Sequence, residues 1–118
     1  MVIDDSEIIL RMIRSYLEKK NYQIVSATNG LEGIKLFEED ASSFDLVITD
    51  IVMPHISGVG VISILKEQRP SLPIIAITGY GEHPEALAAE AKANMVLEKP
   101  IDLGELAGHI STLVGSGP

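Results

Sequence analysis

Five residues in this 118-residue chain could carry chemistry together: the acid pair Asp4-Asp5, the acid Asp50, the hydroxyl of Thr78 in Thr78-Gly79, and the ammonium of Lys99 in Lys99-Pro100. Carboxylates gathered in one small pocket repel one another and stay ionised only with a cation among them. Oxygen donors without Cys, and with no His at ligand spacing, select Mg²⁺ completed by waters over zinc or copper. An Asp beside such an ion can attack phosphorus and form an aspartyl phosphate. The transferring group carries its charge on its equatorial oxygens, and Mg²⁺, Lys99 and Thr78 are the groups that would neutralise it. Any one of these residues alone has a plainer reading as a helix cap, turn or loop residue. Their convergence is what needs explaining.

The elements that must bring them together follow from hydrophobic periodicity. Short apolar runs predict strands at Met1–Ile3, Gln23–Ala27, Leu46–Thr49, Ile74–Thr78 and Met95–Glu98. Between and after them, helical patterns cover Ser6–Lys20, Leu31–Asp40, Val59–Gln68, Pro84–Ala93 and Asp102–Val114. Strict alternation of strand and helix predicts an α/β fold, (βα)5, with a parallel sheet covered on both faces. In such sheets chemistry collects outside the carboxyl ends of the strands. Asp4-Asp5, Asp50, Thr78-Gly79 and Lys99-Pro100 all stand at those ends, whereas the end of strand two, Thr28-Asn29-Gly30, reads as a plain turn. In the first helix Ile9, Met12, Ile13, Tyr16 and Leu17 form the expected buried stripe, with Ile8 and Leu10 to either side of it. Gly58 is expected to let the chain turn into the third helix.

Size and charge narrow the function further. The length suits one domain, residues 1–115, followed by a short tail at 116–118, and leaves no room here for a separate DNA-binding or catalytic domain. No apolar stretch is long enough to span a membrane and no signal peptide is visible, so the expected location is cytoplasmic. Absence of Cys excludes thiolate catalysis and Cys-ligated zinc. A formal net charge of −8 argues against nucleic acid as a direct partner. Four of the nine basic residues, Arg11, Arg14, Lys19 and Lys20, share the first helix, either as a solvated face or as a partner-docking edge.

The motifs Ile3-Asp4-Asp5-Ser6-Glu7, Asp50 to Gly58 (DIVMPHISG), Ile77-Thr78-Gly79 and Glu98-Lys99-Pro100 strongly resemble those of the receiver domain of two-component response regulators, in order and spacing along the whole chain. The resemblance implies a doubly wound, flavodoxin-like sheet with strand order 2-1-3-4-5. It implies a phosphoacceptor switch: Asp50 takes a phosphoryl group from a sensor histidine kinase or histidine phosphotransfer protein. Asp5 would then ligate Mg²⁺ directly, Asp4 through water and Val52 through its backbone carbonyl. Lys99 would pair with Asp50 or its phosphoryl group, and Thr78 would swing onto the phosphate. A cis Lys99-Pro100 bond is implied as well. The output would be a changed surface of fourth helix, fifth strand and fifth helix, read by an effector domain or protein, with no turnover of external substrates. An aspartate-nucleophile phosphatase is the alternative; it is disfavoured because Val52 stands where such enzymes place a general acid. A flavin or nucleotide carrier on this topology would present a phosphate-cradling loop where this chain presents acids.

Several positions depart from the pattern. Only Met1-Val2-Ile3 precede the first acids, which suggests a trimmed or altered start. Val96 occupies a place where many receivers carry an aromatic switch, and Tyr80 is either a substitute or ordinary surface packing. With Val52 and Tyr80 as the side chains controlling water access, slow hydrolysis of the phosphoryl group is expected. His55 and His83 read as exposed loop residues, with no third ligand at metal spacing. Ile8 and Leu10 either form an apolar docking patch for the phosphodonor or pack against neighbouring loops.

Overall fold

A computed structural model describes residues 1–79 and 92–115. Its strands are β1 (Val2–Ile3), β2 (Ser26–Ala27), β3 (Val47–Asp50), β4 (Ile74–Thr78) and β5 (Met95–Glu98). They form one sheet in the order β2-β1-β3-β4-β5, and every pairing is parallel. The described helices are α1 (Glu7–Glu18), α2 (Gly30–Glu39), α3 (Gly58–Gln68) and a C-terminal helix, Leu103–Val114. The expected doubly wound architecture is the one observed.

Alternating side chains of the central strands feed two separate cores, which is why those strands read as continuous apolar runs rather than as alternating ones. Val47, Ile74 and Ala76 join Ile3, Phe37, Val61, Ile62 and Leu65 on the side of α2 and α3. Ile48, Ile75 and Ile77 join Leu10, Ile13, Leu17, Leu106 and Ile110 on the side of α1 and the C-terminal helix. Each described α-helix opens on a side-chain cap, because the first N–H groups of a helix lack partners within it. Ser6 Oγ accepts from Ile9, Asn29 Oδ1 from Glu32, Ser57 Oγ from Gly60 and Asp102 Oδ1 from Glu105. Ser6 and Asp102 therefore stand outside the helices they were expected to begin.

Four expectations need correction. Strand two was expected over Gln23–Ala27 but pairs only through Ser26–Ala27, since its partner β1 has two residues to offer. The buried stripe of α1 is Leu10, Ile13 and Leu17, with Ile9 and Tyr16 partly buried. Met12 is 49% exposed and Leu10 only 6%, so the apolar face is rotated by about half of the 100° step per residue from the expected one. Leu10 thus belongs to the core, and only Ile8, 70% exposed, remains available of the supposed docking pair. Strand three includes Asp50 itself, which pairs with Ile77. The expected helix Pro84–Ala93 lies outside the described residues except at its end, where Lys92 (φ 68°) is left-handed and not helical. A short 3₁₀ turn, Ala41–Ser43, was not anticipated; Arg69 holds this segment by donating to the carbonyls of Ala41 and Phe44.

The glycines separate freedom from contact. A Cβ on Gly108, within the C-terminal helix, would meet nothing within 4 Å, whereas one on Gly33 would sit 2.4 Å from Ile3 Cδ1. Gly108→Ala should stabilise the fold by about 0.5–1 kcal/mol, a melting-temperature rise of roughly 2–5 °C. Gly33→Ala should cost about 1–3 kcal/mol. Urea and thermal denaturation measure both.

Candidate functional site

Each candidate side chain is set by the end of a strand. Asp50 is the last residue of β3 and, at 4% exposure, is almost fully buried. Asp4 follows β1; its N–H donates to Ala27 O at 3.1 Å, and its Oδ1 accepts from the Ser6 N–H at 2.8 Å. Lys99 follows β5, its N–H donating to Thr78 O at 2.7 Å and continuing the β4–β5 pairing. The Lys99-Pro100 peptide is cis. Parallel register thus brings separate sequence segments to one edge: Asp50 lies opposite Ile77, and Thr78 opposite Glu98.

Asp4, Asp5 and Asp50 each place a carboxylate oxygen within 4.8 Å of the others; Asp4 and Asp50 are buried and Asp5 is exposed. Lys99 Nζ donates to Asp50 Oδ2 at 3.1 Å and lies 3.7 Å from Asp4 Oδ2. Asp4 Oδ2 is buried and accepts no hydrogen bond. Thr78 is buried and its hydroxyl donates to Leu97 O over a long 3.4 Å, a weak tether that is readily exchanged. The Val52 backbone N–H lies close enough to the Asp50 carboxylate to favour its charge, while the Val52 side chain is 55% exposed.

Electrostatics follow from this geometry. Burial pushes the Asp50 carboxyl above the usual range; Lys99 and the Val52 N–H oppose that rise and Asp5 adds to it. Burial raises Asp4 too, against the Ser6 N–H and Lys99, with Asp50 and Asp5 adding to the rise. For Lys99, burial works against the charge, yet the hydrogen bond to Asp50 and the fields of Asp4, Asp50 and Asp5 together lift its pKa above the ordinary lysine value. Three carboxylates and one ammonium leave an excess of negative charge over hard oxygen donors, one of them without a hydrogen bond. That donor set fits Mg²⁺, with Asp4, Asp5 and Asp50 the residues able to hold it.

All of the side chains singled out for the site among the described residues are thereby brought to one edge. Val52 is adjacent, in the loop after β3. His55 is exposed, with a left-handed φ of 70°, and takes no part in the acid cluster. Tyr80 and His83 lie outside the described residues. Sequence reasoning missed the backbone partners: the Ser6 and Val52 N–H groups and the Leu97 carbonyl. The spacing of Asp4 and Ser6 was the available signal for the first, since Asp commonly accepts from the N–H two residues on.

A raised carboxyl pKa means that the folded chain binds protons the unfolded chain has released, so stability falls as pH rises from the ordinary Asp value of about 3.9 through the raised ones. The lifted Lys99 pKa has the same sign in a higher window: its contribution is fully present below about 10.4 and is lost only above that. Melting in chelator should therefore show stability declining as pH rises above the ordinary Asp value of about 3.9, and Asp50→Asn should flatten that slope and raise the melting temperature at neutral pH. Mg²⁺ should restore the parent and leave Asp50→Asn little changed.

Comparison with known proteins agrees with this geometry. Residues 1–111 match the response regulator receiver domain family. The transcriptional regulatory protein YcbL of Bacillus subtilis is 31% identical over 115 residues, 97% of this chain and 50% of that protein. The response regulator SaeR of Staphylococcus aureus is 29% identical over 115 residues, 97% of this chain and 49% of that protein. The chain thus spans about half the length of these curated relatives. A receiver domain protein from Clostridium thermocellum superposes with a TM-score of 0.90 at 33% identity, over 96% of this chain and 90% of that one. A CheY-like receiver domain protein from Methanospirillum hungatei gives 0.89 at 25% identity, again over 96% and 90%. With a fold, an acidic sheet edge and a family match that coincide over nearly its whole length, the chain belongs to the response regulator receiver domain family.

Proposed function

We propose that this chain is a phosphoacceptor switch in which Asp50 is the residue phosphorylated. One observation carries the reading: the buried Asp50 carboxylate stands at the tip of β3 between a cluster of acids and the Lys99 ammonium, 3.1 Å away. An Asp50 oxygen attacks phosphorus in a phosphohistidine of a sensor kinase or phosphotransfer protein. A P–O bond forms, the P–N bond breaks, and the imidazole leaves with a proton from solvent. Mg²⁺, when bound by Asp5 and Asp50 directly, by Asp4 through water and by the Val52 carbonyl, supplies charge neutralisation for the incoming phosphoryl oxygens. Lys99 supplies a second positive charge, and Thr78 exchanges its long bond to Leu97 O for one to the phosphoryl group.

The switch follows from that exchange. A phosphoryl group adds about −1.5 to −2 charge and three strong acceptors at Asp50. Movement of Thr78 at the end of β4 bears on β5, its pairing partner, and on the surface that β5 shares with the C-terminal helix and the segment before β5. An effector domain or separate protein reads that change. Val96 is partly buried against the α2 and α3 core, so an aromatic gate at that position is not part of the device. Ile8, exposed near the start of α1, is the apolar contact offered to the phosphodonor. The reading places the chain in the cytoplasm, among signalling proteins rather than enzymes.

Acetyl phosphate with Mg²⁺ should add one phosphate to the parent, seen as a single mass increment by intact-protein mass spectrometry. Asp50→Asn should add none, and Lys99→Ala should lose about 10²-fold or more in rate of labelling, the scale of removing one charge-stabilising donor. Labelling elsewhere in Asp50→Asn, at the parent's rate, would refute the assignment.

Persistence of the modified state is a second expectation, since the exposed Val52 side chain can neither orient nor activate water. Phosphoryl decay followed by mass should be slow in the parent and faster in Val52→Asn, which can hydrogen-bond a water molecule. Equal decay in the two proteins would remove Val52 from the account.

A further inference from the structure

The loop from Ile51 to Ser57 joins the nucleophile's strand to α3, and the residue just beyond it, Gly58, packs back onto the strand's last peptide. A Cβ on Gly58 would lie 2.1 Å from Asp50 O and 2.7 Å from Ile51 Cα. Both are backbone atoms. The described glycines Gly30 and Gly33 would instead first meet side-chain atoms of Ile56, Val61 or Ile3. The Gly58 N–H donates to Ile51 O at 2.7 Å, and the Ile51 N–H is itself held by Ile77 O at 2.9 Å. Within the loop, Ile56 N–H donates to Pro54 O at 2.9 Å, and His55 turns the chain with its left-handed φ. The peptide units on either side of Ile51 are therefore clamped between β4 and the first turn of α3. Next along the chain is Val52, whose backbone N–H lies close enough to the Asp50 carboxylate to favour its charge.

We infer that Gly58 is a positioning residue of the acidic site: its bare Cα lets α3 seat on the Asp50–Ile51 peptide, and that seat sets where the Val52 peptide groups stand relative to the Asp50 carboxylate. The sequence-based role, a flexible residue at a turn, is thereby replaced by a contact requirement, since only a residue without a Cβ admits this approach. The inference deepens the phosphoacceptor reading and rests on it, because the group held in place serves a divalent cation and a phosphoryl group. An added methyl at Gly58 displaces the Asp50 carbonyl, tilts the Ile51 peptide and withdraws the Val52 N–H from the carboxylate. The cation site loosens although none of its side chains has changed.

Mg²⁺ affinity, measured by calorimetric titration of the intact chain, is the readout, and phosphorylation is not needed. Three variants are compared with the parent: Gly58→Ala, Leu72→Ala as a destabilised control in the core before β4, at the opposite end of the sheet from the acids, and an amide-to-ester replacement at position 58. The ester removes the N–H donor without adding a Cβ, and so stays folded if Gly58→Ala does not. Outer-shell supports of metal sites typically govern about 10–100-fold in affinity, so Gly58→Ala should weaken Mg²⁺ at least about 10-fold and the ester about 3–10-fold. Leu72→Ala should stay within about twofold of the parent, because the cavity it leaves lies in the core far from the acids. An ester variant binding within twofold of the parent overturns the inference, as does an equal loss in Leu72→Ala. If the parent itself binds no Mg²⁺, the phosphoacceptor reading fails and takes this inference with it; parental binding with unchanged variants removes the inference alone.

Discussion

Like-charge repulsion is the constraint on which the rest depends. Three carboxylates are held within 4.8 Å of one another, two of them buried, at the end of an otherwise apolar sheet. Burial disfavours their charge and proximity compounds it, which is why Asp4 and Asp50 are both pushed toward protonation. Lys99 relieves part of this, bonded to Asp50 and near Asp4, and it cannot satisfy all three. A folded chain in that condition gains from any additional cation at the notch. An acceptor for phosphoryl groups needs the same arrangement, because the incoming group brings more negative charge to a place that already has too much.

Such a notch can be maintained only by a scaffold that does not yield. The acids and the ammonium sit on the ends of β1, β3 and β5, which are parallel and packed against two cores, so each functional residue lies at a strand's last residue or within two residues of it. Backbone hydrogen bonds finish the placement: the Ser6 N–H occupies one oxygen of Asp4 and leaves the other free, and the Val52 N–H meets Asp50. Thr78 is the exception. Its long bond to Leu97 O is the weakest tether at the edge, and it stands where strand pairing passes any displacement to β5. Rigidity for the nucleophile and looseness for the hydroxyl are what distinguish a switch from a static metal site.

Much of this was legible in the sequence, for physical reasons that differ by element. β4 was readable to the residue because a buried parallel strand must be a near-continuous apolar run, and the partly buried edge strand β5 was readable from the apolar Met95–Leu97 that precedes Glu98. The acids, Thr78 and Lys99 were readable because strand ends in such a sheet share one edge. What failed was rotation and pairing. The stripe of α1 cannot be assigned to within half a residue from periodicity alone, since Leu10 and Met12 are both apolar and only packing against the C-terminal helix and the sheet decides which is buried. β2 looked five residues long and pairs over two because a strand is defined by its neighbour, which composition does not reveal. Backbone donors such as the Ser6 and Val52 N–H groups, and the contact that requires Gly58, belong to every residue type alike and become visible only in three dimensions.

The most direct test of the central claim is to determine the structure of the chain with Mg²⁺ and beryllium trifluoride, a non-transferable stand-in for the phosphoryl group. The account predicts beryllium bonded to an Asp50 oxygen and Mg²⁺ among Asp4, Asp5 and Asp50. Lys99 should then approach one fluoride, and the Thr78 hydroxyl should be released from Leu97 O onto another. Beryllium on a different carboxylate, or Mg²⁺ bound away from the three acids with Lys99 still paired to an unmodified Asp50, would contradict it.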